Sequence, residues 1–164
     1  MLGWIDITEG IPPNTVWGLS SWTRAVRQLY RLGCEEIVVL TTGEASYKTT
    51  PAPGAALHYV TKNPTDLKLQ SITARHEKVL WLRGTHVYDT RILSELIASK
   101  NNAAFCDMHG HLIAACVEAA VLAREADVDT ISKACTIRLR MEDIPTHILS
   151  FRVYVPAIAA DARD

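Results

Sequence analysis

Short apolar runs rich in β-branched residues alternate along this chain with stretches of helical period, a pattern that predicts a sheet covered by crossover helices. The candidate strands are Trp4-Thr8, Glu36-Thr41, Leu57-Thr61, Lys78-Arg83, Ala103-Cys106 and Ile148-Val155. Two of them carry IVVL and VLWL with no polar alternation, as central strands buried on both faces do. The block TVWGLSSWTRAVRQLYRLGCEEIVVL, residues 15 to 40, therefore reads as a loop, a helix and a buried parallel strand. Ser20 or Ser21 caps that helix, Trp22, Val26 and Leu29 mark its inner face, and Gly33 marks its end.

A second helix follows Tyr88, with Asp89 as its cap and Ile92, Leu93, Leu96 and Ile97 as its apolar stripe. Weaker helical patterns cover Asp66-His76 and Glu118-Glu125, and a short one, Ile131-Ala134, is capped by Asp129 or Thr130. The stretch TTGEASYKTTPAPGAA, 41 to 56, is loop material, because two prolines and two glycines hold neither a helix nor a ladder. It follows a central strand, at the edge where open parallel sheets take ligands, so it is either a pocket lid or a plain surface loop. The whole is expected to be one α/β domain, a three-layer sandwich about a mostly parallel sheet.

Composition narrows the function classes. At 164 residues the chain suits one core. Its 17 Lys+Arg against 18 Asp+Glu leave a formal charge of -1, which gives no concentrated field for collecting nucleic-acid phosphates. Arg24, Arg27 and Arg31 form the nearest approach to a basic stripe and fit the solvated face of one helix. Cysteines 34, 106, 116 and 135 show no CxxC pair, which points to free thiols in a reducing compartment; Cys34 and Cys106 sit in or beside apolar runs. The longest apolar run, LIAACVEAAVLA at 112 to 123, is too short to cross a bilayer and contains Glu118. A soluble, cytoplasmic domain is the expectation.

Three segments carry candidate chemistry. In LRGTHVYDTRILSEL, 82 to 96, a strand delivers Gly84, Thr85 and His86 to its carboxyl end, and Asp89 opens a helix whose first amides favour an anion. That suits a phosphate; the plainer reading makes Asp89 a cap and His86 a turn residue. In CDMHGH, 106 to 111, Asp107 and two histidines have the spacing of a divalent-metal site, while Gly110 fits a turn between two strands. In ADVDTISKA, 126 to 134, Asp127 and Asp129 present carboxylates of the kind Mg2+ prefers, or simply a helix cap. No P-loop and no GxGxxG pattern occurs.

The blocks SSWTRAVRQLYRLGCEEIVVLTT and VLWLRGTHVYDTRILSEL resemble the nucleotidyltransferases of GT-A, Rossmann-like fold. The nearest likeness is to the inositol-phosphate cytidylyltransferase kind and to similar domains fused to membrane CDP-alcohol phosphatidyltransferases. In these a GDHVY-like motif ends the central strand, as RGTHVY does here, and EDIPTHILSFRVYVP resembles the stretch before the membrane segment of such fusions.

Two departures stand out. Trp4-Ile7 runs into TEGIPPNTVWG where active members carry an AAGxGxR loop and a lysine, and the family's metal-binding aspartate falls on Thr85. The resemblance implies a degenerate transferase-like domain with a structural or regulatory role in phospholipid synthesis, on the inner face of a membrane and capable of homodimerising. The alternatives are a metal-dependent hydrolase built on CDMHGH and an active cytidylyltransferase joining CTP to a phosphorylated alcohol. For the latter, Arg24 and Lys48 would be the cations, Gly84, Thr85, His86 and Asp89 the phosphate binders, and Asp107 and Asp129 the Mg2+ ligands.

Overall fold

A computed structural model describes residues 1–10, 15–16, 19–42, 54–61, 67–107, 109–124, 127–139 and 157–159. Strand β1 is Leu2–Asp6; β2 (Thr15–Val16) and β3 (Leu19–Ser20) form a small antiparallel ladder before helix α1, Ser21–Arg31. There follow β4 (Glu36–Thr41), β5 (Ala56–Thr61), α2 (Leu67–Thr73), β6 (Lys78–Arg83), β7 (His86–Tyr88) and α3 (Thr90–Ala98). Then come β8 (Ala103–Cys106), β9 (Leu112–Glu118), α4 (Ala119–Arg124), α5 (Val128–Ala134), β10 (Ile137–Leu139) and β11 (Ala157–Ala159).

Seven strands form the main sheet in the order β10-β8-β9-β6-β1-β4-β5. Every neighbouring pair in it is parallel except those made by β9, which runs against both β6 and β8. The sheet is thus mostly parallel, and helices cover both faces. On one face Ile5, Ile37, Val39, Leu80 and Leu82 pack with Trp22, Val26 and Leu29 of α1 and Ile92, Leu93 and Leu96 of α3. On the other, Leu2, Trp4, Val38, Leu40, Val79 and Trp81 pack with Ile72, Leu122 and Ile131 of α2, α4 and α5. Because side chains alternate along a strand, IVVL and VLWL each feed both layers, and that is why they lack polar positions.

The helix ends are local and well determined. Ser20 caps α1, its Oγ accepting from the Thr23 amide at 3.3 Å. At the other end the Gly33 amide donates to Tyr30 O and the Cys34 amide to Leu29 O, a Schellman closure that needs the left-handed Gly33, at φ 88°.

Several expectations shift. The first strand begins and ends earlier than Trp4-Thr8, because Thr8 and Glu9 already form a turn. The 118–125 helix starts at Ala119, directly after a strand that reaches Glu118. Asp127, not Asp129 or Thr130, caps α5, accepting from the Thr130 amide at 2.7 Å. The expected strand Ile148-Val155 lies outside the described residues; beyond it, β11 pairs antiparallel with β7. None of the four cysteines is in a disulfide, and all are buried. Among the described residues no helix is long and apolar enough to cross a membrane.

Candidate functional site

Two places in this fold gather polar side chains that the core does not need. The first is the carboxyl edge of the central strands, where β1, β4 and β6 end side by side. Its backbone is closely tied: the Gly84 amide donates to Asp6 O at 2.7 Å, the Ile7 amide to Leu40 O at 2.9 Å, and the buried Ser21 hydroxyl to Gly84 O at 2.7 Å. A Cβ on Gly84 would meet Ile7 Cγ2 at 2.3 Å and Asp6 O at 3.0 Å, so glycine is required there by close approach of two strands.

The side chains at this edge also satisfy one another. Asp6, nearly buried, turns back on its own chain: its Oδ1 accepts from the Thr8 amide at 2.9 Å and the Thr8 hydroxyl at 2.7 Å. Arg83 reaches Glu9 at 3.6 Å. The Thr85 hydroxyl lies 2.9 Å from His86 Nδ1. The fully buried Tyr88 hydroxyl sits within hydrogen-bond distance of Arg83 O and Ile113 O, and burial holds it well above the ordinary phenol range.

The second place is a cleft of about 370 Å³ between the outer face of α1 and the β7–α3 junction. Arg24, Arg27, Gln28 and Arg31 of α1 form one wall, and Val87, Tyr88, Asp89 and Thr90 the other. The spacing of 24, 27 and 31 puts the three guanidinium groups on one side of the helix. The stripe expected to be merely solvated therefore borders a concavity. Gln28 Nε2 donates to Tyr88 O and fixes the two walls, while its Oε1 is buried with no partner. Asp89 caps α3, accepting from the Arg91 amide at 2.8 Å. The Arg91 side chain holds both carboxylate oxygens, Nε at 3.0 Å and NH2 at 2.7 Å. Those bonds keep its carboxyl below the usual range against an opposing effect of burial.

Of the residues singled out from sequence, Arg24 and Asp89 share this cleft, and Gly84, Thr85 and His86 lie at the edge beside it. Lys48 falls outside the described residues. Asp107 closes the β8–β9 hairpin: its Oδ1 accepts from the His109 and His111 amides, each at 2.8 Å, and Oδ2 lies 3.0 Å from His111 Nδ1. Although burial acts to raise it, these bonds and the His111 ring lower its carboxyl. Gly110, at φ 84°, makes the turn. Asp129 stands in the first turn of α5. Among the described residues no group of three or more His, Cys, Asp or Glu side chains is placed to hold a metal ion.

Sequence reasoning missed Gln28, and it named Ser21 only as an alternative helix cap, not as a donor to Gly84 O. Their roles depend on Tyr88 O and Gly84 O, sixty or more residues away, so no local signal marks them.

No family model matches the chain, and no curated protein is similar to it by sequence. Solved structures do match its fold. Rv0371C from Mycobacterium tuberculosis H37Rv, in complex with manganese, superimposes with a TM-score of 0.62 at 12% identity, over 85% of this chain and 87% of that one. The 4-diphosphocytidyl-2C-methyl-D-erythritol synthase of Anaerococcus prevotii gives 0.59 at 12% identity, over 87% and 90%. The UDP-glucose pyrophosphorylase of Acinetobacter baumannii gives 0.54 at 11%, over 85% of each. The architecture is a nucleotidyltransferase-like fold.

Proposed function

We propose that this is a nucleotidyltransferase-like domain whose role is to bind and regulate rather than to transfer a nucleotide. The observation that carries the reading is that, among the described residues, the backbone and side chains of the carboxyl edge bond to one another. A triphosphate cradle needs free backbone amides and an approach for the phosphates. Here the Gly84 amide is spent on Asp6 O, and the residues after β1 are Ile7 and Thr8, the latter's amide held by the Asp6 carboxylate.

The metal that the resemblance implies does not fit these residues either. Thr85 stands where a carboxylate ligand is expected, and its hydroxyl lies against His86. The Asp6 carboxylate is engaged by Thr8. Asp107 and Asp129 belong to a hairpin turn and a helix start, respectively. No transfer step through Mg2+ is derived from them.

The test is a transfer assay with CTP, Mg2+ and a panel of phosphorylated alcohols, reading pyrophosphate release. The expected result is no release above the protein-free control. Turnover approaching roughly 1 s⁻¹, the low end of ordinary enzymes, overturns the reading in favour of an active cytidylyltransferase. The fold shared with a diphosphocytidyl synthase is what favours that alternative.

The setting we infer is attachment to a membrane CDP-alcohol phosphatidyltransferase of phospholipid synthesis. It is supported by the likeness of EDIPTHILSFRVYVP to the stretch before the membrane segment in such fusions. Reading the gene beyond Asp164 checks it: several apolar spans of about 20 residues are expected, and a stop codon there contradicts it.

A further inference from the structure

We infer that the outer face of α1, formed by Arg27, Tyr30 and Arg31, is a contact surface for an anionic lipid bilayer and sets which side of the domain looks towards the membrane. The inference rests on the membrane-attached setting only for the tether; the face itself is argued from its own chemistry.

Charge is the first observation. The helix, SWTRAVRQLYR, carries three arginines and no acidic residue, whereas the whole chain is at -1, so everything outside α1 is net negative. An anionic plane therefore attracts one face and repels the rest, which orients the domain as well as binding it. Arg27 and Arg31 are exposed, stand four positions apart on one side of the helix, and make no ion pair or hydrogen bond among the described residues. The negative remainder disfavours a nucleic acid, whose phosphate contacts would have to extend past one helix.

Exposed aromatic rings are the second. Among the described residues the large hydrophobic side chains left exposed are Tyr30, at 37%, and Tyr59, at 43%. Both belong to the α1 side of the sheet. Tyr30 follows Arg27 by three positions and so neighbours it on the helix surface. Tyr59 lies two residues along β5 from Leu57, which packs against the core layer under α1, so strand alternation puts it on the same face. A Cβ on Gly54, just before β5, would meet the Tyr30 hydroxyl at 2.7 Å, which makes the helix and the edge strand neighbours there. Tyrosine and arginine together suit a headgroup layer, where an amphipathic ring sits at the interface and a guanidinium meets lipid phosphates.

The third observation is the path of the chain. Strand β7 packs against α1 and pairs with β11, Ala157–Ala159, the last described strand. A membrane segment attached after it draws the α1 layer, rather than the layer of α2, α4 and α5, to the bilayer. Because the apolar side of α1 is buried in the core, the contact is peripheral and nothing inserts deeply. Each arginine near an anionic surface multiplies partition by about fivefold, within a Debye length of roughly 10 Å at 0.1 M salt. The contact alone is weak, and a tether strengthens it by effective concentration.

The test is co-sedimentation of the chain with vesicles of phosphatidylcholine alone, or mixed to equal charge with phosphatidylglycerol or phosphatidylserine, at low and high salt. The parent is compared with R27Q/R31Q and with K100Q/K133Q, which removes the same charge from exposed positions outside α1. Circular dichroism reports that each variant is folded. Expected are binding to both anionic vesicles at low salt, none to phosphatidylcholine, and release at high salt. R27Q/R31Q should lose roughly 25-fold in partition, about fivefold for each arginine, and K100Q/K133Q should bind nearly as the parent does. Absence of binding to anionic vesicles, equal binding by R27Q/R31Q, or an equal loss in K100Q/K133Q overturns the inference. Binding to only one of the two anionic lipids also overturns it, in favour of a headgroup pocket, as does equally tight, Arg27- and Arg31-dependent retention on single-stranded DNA. Vesicle binding together with a stop codon after Asp164 would refute the attachment and leave this face standing, so the two failures are distinguishable.

Discussion

The carboxyl edge of β1 and β6 and the cleft beside α1 lie next to one another, yet they are built on opposite terms. At the edge almost every polar group found has a partner: Asp6 with Thr8, Gly84 with both Asp6 O and Ser21, Thr85 with His86. In the cleft Arg27, Arg31 and Gln28 Oε1 are left without one among the described residues. A satisfied network rigidifies and resists ligands, whereas unmet charge and unmet hydrogen-bonding capacity have something to gain from them. In the proposed reading, the place where this fold is expected to do chemistry serves as scaffold.

Substitutions that break the edge should be costly and those in the cleft nearly free. Gly84→Ala puts a methyl against Ile7 and Asp6 O, and the loss expected is about 3 kcal/mol, at the upper end of overpacking costs, read from the urea midpoint. If Gly84→Ala were neutral, the close approach of the two strands would not be what holds the edge. Ser21→Ala removes the buried donor to Gly84 O and should cost about 1–2 kcal/mol in the same measurement.

Asp89→Asn sits on the border between the two regions. Asparagine caps as well as aspartate, so the loss at neutral pH should stay below about 1 kcal/mol. The sign with pH is defined. The folded carboxyl lies below its ordinary 3.8, so the contribution is present above that value and fades as the pH falls through the lower folded one. The variant should therefore flatten the acid limb of the stability profile.

Smallest of all, R27Q/R31Q should leave stability unchanged or raise it by roughly 0.2–0.5 kcal/mol by relieving like-charge contacts. A loss of more than about 1 kcal/mol would mean that these arginines serve the fold after all.

Much of this architecture is legible in the chain. IVVL and VLWL announce central strands because each residue faces one of two cores. Ser20, Gly33 and Asp89 announce helix ends because capping uses neighbours in sequence. β9 was harder, since LIAACVE is as compatible with a buried helix as with a strand, and only its place between β6 and β8 decides. Asp127 and Asp129 stand two residues apart and both suit a cap, and the approach of the Thr130 amide selects the first. The arginine face was legible as a face; the wall it meets was not, because β7 and α3 come to it through tertiary packing some sixty residues later.

The most direct measurement of the central claim is a heteronuclear NMR titration with CTP and Mg2+ that follows the amides of Ile7, Thr8, Gly10, Gly84 and Thr85. No saturable shift is expected at these positions, up to millimolar nucleotide. Saturable shifts centred on Thr8 and Gly84 would contradict it and restore the carboxyl edge as a nucleotide site.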